Sequence, residues 1–397
     1  MNTEEKREYK ANIWKAYVYK FLRNFHFFAG VLIPFFTIWG GISFAQVMIL
    51  QAIFTFSVFL MEIPTGTVAD RFGRKTSLAL GGIVSAMGFL IYVLYPSFWI
   101  FALGEFVLAI GCALNSGADH ALIYDSLKEI KTEKKSKKIF GRYGSLGLFS
   151  LMVAAPLGSL IAKYFGLRAT MLLTAVPLIL ATGIALSFKE PKTRKKSEKP
   201  DYFRTLKKGL LYFKNHKELK ILAFDYISIT TLVFFTVWVY QVVLQKFEVS
   251  IGWFGFVHAG IVVLEIIVLN SFASFEKFFG GKKKYLLFTS IICGISFLLI
   301  AFAQTLWIAL VGIGFISLFG LTRKSLFHNY FNKFIESDVR ATVLSSISML
   351  YAFIIAIIDI VFGYLVDWNL KYALAIIGVL IILFALFSKV REEHLLD

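Results

Sequence analysis

The chain has 397 residues, of which 58% are hydrophobic and only 17% are charged, and its mean hydropathy is +0.72. Soluble domains are about 45–50% apolar and about 25% charged, so this composition excludes a soluble globular protein and indicates an integral membrane protein. The formal net charge of +17 does not indicate a nucleic-acid partner, because the basic residues lie in short loops between apolar segments, where membrane topology requires them.

Twelve apolar segments are long enough to cross a bilayer, since a spanning helix needs about 20 mainly apolar residues. The predicted spanning helices are 14–36, 44–68, 76–94, 98–127, 139–163, 168–188, 218–244, 251–275, 284–303, 305–333, 340–366 and 370–388. Residues 1–13 and 389–397 form the termini. No small-residue cleavage site follows a short apolar core, so we expect a retained first helix and no removable signal peptide.

Basic residues predict the orientation of these helices. The loops at 37–43, 95–97, 163–168, 245–250, 304 and 367–371 contain only four of the 42 Lys and Arg residues, namely Lys163, Arg168, Lys246 and Lys371. Loops rich in Lys and Arg stay in the cytoplasm. We therefore expect a multi-pass protein of the plasma membrane with both termini cytoplasmic.

The basic stretch 189–217 divides the chain into halves of six predicted helices, 14–188 and 218–388. We interpret this stretch as a cytoplasmic linker that includes an amphipathic surface helix near 201–215. Its basic residues suit either anionic lipid or water, and we favour a solvated loop that sets orientation.

The two halves look like repeats when one is shifted by 203 residues. This shift aligns Gly111 with Gly314, Gly117 with Gly320, Asp119-His120 with Thr322-Arg323, and Asp125 with His328. Internal repeats of this kind are typical of secondary transporters, which hold substrate between the halves near the middle of the membrane.

A short basic motif separates the second and third predicted helices. It follows the pattern G-x-x-x-D-R-x-G-R-K, and its fixed residues are Gly66, Asp70, Arg71, Gly73, Arg74 and Lys75. Gly73 permits a sharp turn that a side chain would hinder. A degenerate copy of the motif lies between the eighth and ninth helices. In it Glu276-Lys277 replaces Asp70-Arg71, and Gly280-Gly281-Lys282-Lys283 follows.

This motif resembles the signature of the major facilitator superfamily, and the similarity of topology and repeats extends along the chain. The resemblance implies an all-α membrane protein of twelve helices in two pseudo-symmetric halves. It also implies a cytoplasmic latch near the start of the eleventh helix, to which we assign Asp70, Arg74 and Asp125.

Ionisable residues inside the membrane are costly and each needs a partner, water or a function. The candidates for a proton or substrate site are Arg23, Asn115, Asp119, His120, Asp225, Glu265 and Arg323. Asp119-His120 and Arg323 occupy corresponding repeat positions, so we expect them to face a central cavity. A structural ion pair, or contact with headgroup water, is the alternative for each. Glu62 and Asp359 lie nearer the predicted helix ends, where we favour a structural role.

Several classes of function lack their sequence signals. Cys112 and Cys293 lie inside apolar segments and give neither a disulfide framework nor metal spacing. No phosphate-binding Gly-rich loop is present, so we expect no direct use of ATP. The sequence also lacks a His/Cys cluster with metal spacing and a Gly-x-Ser-x-Gly with a strand pattern, so we expect no metal, no cofactor and no enzyme activity. The fifth helix contains Pro156 but lacks the Gly-Pro and Gly-Gly pairs that many antiporters of the family carry there.

We therefore expect a monomeric secondary transporter that moves a small-molecule substrate by rocking its two halves, with protons as the coupling ion. Export of an amphipathic compound by antiport is the first interpretation, since aromatic residues abound and relatives with similar loops are often exporters. Proton-coupled uptake of a metabolite is the second. A membrane sensor or scaffold that transports nothing is the third.

Overall fold

The computed structural model describes residues 3–192, 211–212, 216–336 and 339–395, and the regular elements within these residues are all helical. The chain divides into two compact units. The first comprises Met1–Ile42, Leu50–Pro200 and Ser250–Ala259, and the second comprises Ser43–Ile49, Asp201–Val249 and Gly260–Asp397.

Short connections join most of the α-helices, and the segment between α8 and α9 includes residues that the structure does not describe. In chain order they are α1 Thr3–Arg23, α2 Leu32–Pro34, α3 Phe44–Phe72, α4 Arg74–Tyr92, α5 Phe98–Asn115, α6 Ala118–Glu129, α7 Ser136–Phe165, α8 Leu167–Leu186, α9 Lys217–Phe234, α10 Thr236–Lys246, α11 Ile251–Phe278, α12 Lys282–Ala301, α13 Leu306–Phe319, α14 Arg323–Lys333 and α15 Arg340–Leu386. The short α2 continues as a π-helical turn, Phe35–Trp39.

Within the described residues, ten helical stretches are long and apolar enough to cross a membrane. The last of them lies in α15, whose 47 residues include a break at Asn369, where φ is −164° and ψ is 110°. Because this helix is about twice the length that one crossing needs, it accommodates the eleventh and twelfth predicted spans.

The first predicted span, a continuous helix over 14–36, is wrong. Helix α1 begins at Thr3 and ends at Arg23, and residues 24–31 form turns before α2. Close backbone packing holds this irregular segment, since a Cβ at Gly158 would lie 1.6 Å from the Phe27 carbonyl oxygen. An apolar pattern predicts burial but does not show where the backbone leaves the helix.

Three further predicted spans are also interrupted. The seventh consists of α9 and α10, which Phe235 separates. The fourth consists of α5 and α6, and the left-handed residue Gly117, with φ of 71°, separates them. The tenth consists of α13 and α14, which residues 320–322 separate. Irregular backbone is tolerated at membrane depth where protein buries it or where it lines a water-filled cavity, and broken helices build the substrate sites of many transporters.

The packing within the two units follows the same scheme. In the first unit α4 packs on α5 and α8, and α1 packs on α6; in the second unit α12 packs on α13 and α15, and α9 packs on α14. Small residues allow this close approach. A Cβ at Gly294 of α12, for example, would lie 2.8 Å from the carbonyl oxygen of Gly378 in α15.

The start of the predicted linker is docked on α1 in the first unit. The buried Asn12 donates a hydrogen bond to the Lys189 carbonyl oxygen at 2.8 Å and accepts one from the Lys189 N–H at 3.0 Å. Lys189 also pairs with Glu8 at 2.9 Å, and a hydrogen bond from the ammonium to that carboxylate raises the pKa of Lys189. The predicted surface helix near 201–215 falls mostly outside the described residues.

Candidate functional site

The signature loop between α3 and α4 is built around a carboxylate that comes from beyond α8. Both oxygens of Glu190 accept hydrogen bonds at the start of α4, from the Arg74 N–H at 2.8 Å and from the Lys75 N–H at 2.9 Å. Gly73 has φ of 104°, and a Cβ there would lie 2.9 Å from the Glu190 carboxyl carbon. Glycine is therefore required at this position for both conformation and space.

The second unit repeats this arrangement at the degenerate copy of the motif. Gly281 has φ of 147°, and Glu392 accepts hydrogen bonds from the Lys282 and Lys283 N–H groups, each at 2.8 Å. A carboxylate at a helix N-terminus satisfies free N–H groups and complements the helix dipole. Each unit therefore has one helix end capped by an acidic residue from about 110 positions later in the chain.

Of the three residues assigned to the latch, the structure brings two together. Arg74 forms an ion pair with Asp125 of α6, and both side chains are largely buried. Asp70 is exposed in the last turn of α3 and has no ion pair among the described residues. Of the remaining motif residues, Gly66 and Arg71 are exposed on α3, Gly73 is buried and Lys75 is half-buried. The Arg71 guanidinium is 5.5 Å from the Phe72 ring centre.

Three candidate residues meet a tyrosine where the fourth predicted span is broken. The buried Asp119 accepts hydrogen bonds from the Tyr143 hydroxyl at 2.7 Å and from the His120 N–H at 2.7 Å. The His120 ring nitrogen Nδ1 lies 2.9 Å from the same carboxylate, and Arg23 lies 3.9 Å from it. Because Asp119 is also in the first turn of α6, the helix dipole stabilises its negative charge.

Asn115 adjoins this cluster at the end of α5. Its side-chain oxygen accepts a hydrogen bond from the Tyr19 hydroxyl, and its amide donates to the Gly111 carbonyl oxygen at 2.7 Å. Lys20 is one residue further along α1, with its ammonium 5.1 Å from the Tyr143 ring centre. The cluster in the first unit therefore holds Lys20 and Arg23 beside one buried carboxylate.

The second unit contains a more deeply buried cluster. Arg323 forms an ion pair with Asp225, and the two side chains are only 3% and 6% exposed. Arg323 also donates a hydrogen bond to the Ser290 hydroxyl at 2.9 Å and stacks on Phe327, 4.8 Å from its ring centre. The other Asp225 oxygen accepts a hydrogen bond from Ser388.

The two charge pairs occupy corresponding helices of the repeat with the signs exchanged. In the first unit the first predicted span carries Arg23 and the fourth carries Asp119; in the second unit the seventh carries Asp225 and the tenth carries Arg323. Each of the two pairs forms within its own unit. That Asp119-His120 and Arg323 face a central cavity stays a prediction.

The remaining intramembrane carboxyl groups differ in their surroundings. Glu265 of α11 is half-buried and has no ion pair among the described residues. Glu105 of α5 is buried and accepts a hydrogen bond from the Gln51 amide at 2.9 Å. Asp359 is buried in the second half of the part of α15 that precedes Asn369.

Sequence reasoning did not single out the hydroxyl and carboxyl groups that complete these sites, which are Tyr143, Ser290, Ser388, Glu190 and Glu392. Tyr143 and Ser290 lie in apolar helices and carry no motif. The two glutamates do have a signal, because each follows the last helix of its half by a few residues.

The described structure is that of a helical membrane protein whose broken helices carry buried charge pairs, and this is a transporter architecture. The sequence model of the Major Facilitator Superfamily matches residues 21–322, and the chain belongs to this family. The predicted family and fold class are thereby confirmed.

Two curated relatives are named as transporters. The chain is 29% identical over 161 residues to the inner membrane transport protein YajR of Escherichia coli (strain K12), a match that covers 40% of this chain and 34% of that protein. It is 26% identical over 238 residues to the uncharacterized transporter BU466 of Buchnera aphidicola subsp. Acyrthosiphon pisum (strain APS), covering 60% and 58%. The matches thus span about one third and three fifths of these two relatives.

Solved structures with the same fold include two proteins that are titled as transporters. A mutant form of the nucleoside transporter NupG aligns with a TM-score of 0.80 at 13% identity, covering 94% of this chain and 98% of that one. The POT family transporter PepTSo aligns with a TM-score of 0.70 at 13% identity, covering 95% and 96%. At this level of identity the likeness shows the fold alone.

Proposed function

We propose that the protein is a proton-coupled secondary transporter that moves a small solute by alternating access, with both termini in the cytoplasm. The observation that carries this proposal is the pairing of His120 with Asp119. The His120 side chain is 57% exposed, whereas the Asp119 side chain is only 7% exposed. An accessible imidazole hydrogen-bonded to a buried carboxylate is able to take a proton from water and keep it beside a counter-charge.

The surroundings of Asp119 suit such a proton relay. When His120 is protonated, the carboxylate stabilises the imidazolium, while Tyr143 and Arg23 hold Asp119 in position. The pair lies next to the break at Gly117, where a small change of backbone would alter access to water. Family membership and the transporter names of the relatives support the same class of function.

We propose export of an amphipathic compound as the direction and substrate class. The abundance of aromatic residues, among them 43 Phe, supports this choice. Uptake of a polar metabolite is the second candidate. It is favoured by the polar cluster of Arg23, Asp119 and Asn115 and by the fold likeness to a protein titled a nucleoside transporter.

Transport in proteoliposomes separates these possibilities. Purified protein is reconstituted, a pH gradient is imposed in either direction, and flux is measured for a panel of lipophilic cations and nucleosides. Accumulation of a lipophilic cation against the proton gradient supports export, and nucleoside accumulation with the proton gradient supports uptake. If no compound in the panel moves in either direction, the scaffold interpretation replaces transport.

Two substitutions then test the proton relay. We expect His120→Gln and Asp119→Asn each to abolish gradient-driven accumulation while substrate binding persists. His258→Gln is the matched control, since it removes a second intramembrane histidine that is not part of this cluster, and it should retain accumulation. Unchanged accumulation in both cluster variants would exclude these residues as the coupling site.

A further inference from the structure

A lone carboxyl group is buried where α9 and α15 pack in the second unit. Asp359 lies on α15 between two aromatic contacts that join these helices. Tyr226 packs on Tyr351, with ring centres 5.5 Å apart, and Phe235, the residue directly after α9, packs on Phe362, with ring centres 5.6 Å apart. The carboxyl group is therefore within the helix packing and away from the break at Asn369.

Asp359 has no hydrogen-bonding or charged partner among the described residues. It is 4% exposed, its Oδ1 atom is fully buried without a hydrogen bond, and no described cation lies within ion-pair distance. The stretch of α9 between the two aromatic contacts carries Thr230 and Thr231, whose buried hydroxyl oxygens also have no hydrogen-bond partner in the described part of the chain. Unpaired polar atoms are thus concentrated in this part of the second unit.

The charged and titratable groups on the neighbouring elements are already engaged elsewhere or lie at the ends of this packing. They include Asp225 and Arg323, which pair with each other, Asp367, which accepts hydrogen bonds from the Phe44 and Ala45 N–H groups, Lys324, which lies over the Tyr351 ring, and the phenols of Tyr226 and Tyr351. Helix α12, which also packs on α15, carries the buried Tyr285 and Cys293. None of these groups supplies a positive charge to the Asp359 carboxyl.

An ionised carboxylate without a partner is strongly disfavoured in such surroundings, and the group avoids this cost by binding a proton. We propose that Asp359 is a proton-binding site that is occupied in this conformation and that releases its proton only when α9 and α15 separate enough to admit water. A proton from water forms the O–H bond of the neutral acid, and the same bond breaks on release. This site is distinct from the His120–Asp119 pair and goes beyond the proposed function.

The neighbouring Asp225 gives a matched comparison, because it is an equally buried aspartate of the same unit but pairs with Arg323. Asparagine has nearly the shape of a neutral aspartic acid. Asp359→Asn should therefore leave the unfolding temperature of the purified protein within a degree or two of the unmodified protein, as an order-of-magnitude expectation. Asp225→Asn leaves a buried guanidinium without its counter-charge and should lower the unfolding temperature by several times that amount.

Infrared spectroscopy of the protein labelled with ¹³C-aspartate reads the protonation state directly. We expect a protonated carboxyl band at neutral pH that shifts in D₂O and is absent from Asp359→Asn. A band unchanged by Asp359→Asn would overturn the proposal. Failure of Asp359→Asn to fold would also overturn it, because the amide replaces a neutral group of the same shape.

A sodium ion is the competing occupant, and salt dependence tests for it. The unfolding temperature is compared in NaCl and in choline chloride at equal ionic strength. Equal values in the two salts agree with a proton site, whereas stabilisation by NaCl that Asp359→Asn removes would assign the site to sodium and refute the proposal. None of these measurements depends on transport, so they remain informative if the proposed transport function fails.

Discussion

The carboxylate cap on α4 makes a local prediction that can be worked out from its two hydrogen bonds. Glu190→Gln keeps one acceptor oxygen at the start of the helix but loses the negative charge and one of the bonds to the Arg74 and Lys75 N–H groups. A hydrogen bond to a charged group contributes about 1.5–3 kcal/mol. Since Glu190 is half-buried, solvent reduces this to about 1–2 kcal/mol, which corresponds to a roughly 5- to 30-fold larger open fraction of the first turn.

Hydrogen exchange measured by mass spectrometry detects this opening in peptides that cover the start of α4. We expect exchange there to accelerate by the same factor in Glu190→Gln, because amide exchange follows the local opening equilibrium. The start of α12 is an internal control, since Glu392 caps it independently, and Glu392→Gln should reverse the pattern. Equal exchange at the start of α4 with and without Glu190→Gln would refute the stabilising role of the cap.

Three other predictions concern the signature loop, the charge pairs and the topology. Gly73→Ala should lower the unfolding temperature more than Glu190→Gln does, because the new Cβ both strains a backbone with φ of 104° and displaces the carboxylate. Asp125→Asn removes the partner of Arg74, and losing a partly screened ion pair costs about 1 kcal/mol. We therefore expect slower transport and an altered distance distribution between spin labels on the cytoplasmic ends, measured by double electron–electron resonance. A cysteine at position 197, which lies outside the described residues, should be labelled only after permeabilisation if the linker is cytoplasmic; labelling in intact cells would exclude this topology.

The family and the fold could be predicted from the sequence because both depend on patterns of residue type along the chain. Apolar length predicts spanning helices, and the six fixed residues from Gly66 to Lys75 fall between two of them. The turn at Gly73 followed from residue type, since glycine is the residue that adopts positive φ without strain. The division at 189–217 and the cytoplasmic termini stay predictions.

Which residues form each site was harder to predict, because the spacing of residues along the chain does not show which side chains meet in the folded protein. The sequence pointed to both Arg23 and Asp119 but not to their pairing, which depends on the end of α1 at Arg23. The segment after that helix end is packed closely, since the backbones at Gly158 and Phe27 approach each other. For the same reason the sequence did not predict that Asp359 lacks a partner among the described residues, since this depends on how the helices pack.

The capping carboxylates also determine where the polypeptide can be divided for expression of its parts. A first fragment that ends before Lys189 would lose both the contacts to Asn12 and the carboxylate that seats α4, whereas one that ends after Lys192 would retain them. In the same way, removal of residues beyond Ser388 would leave the first amides of α12 without Glu392. The few residues that follow α8 and α15, although they look like connecting chain, therefore belong to the structural unit that precedes them.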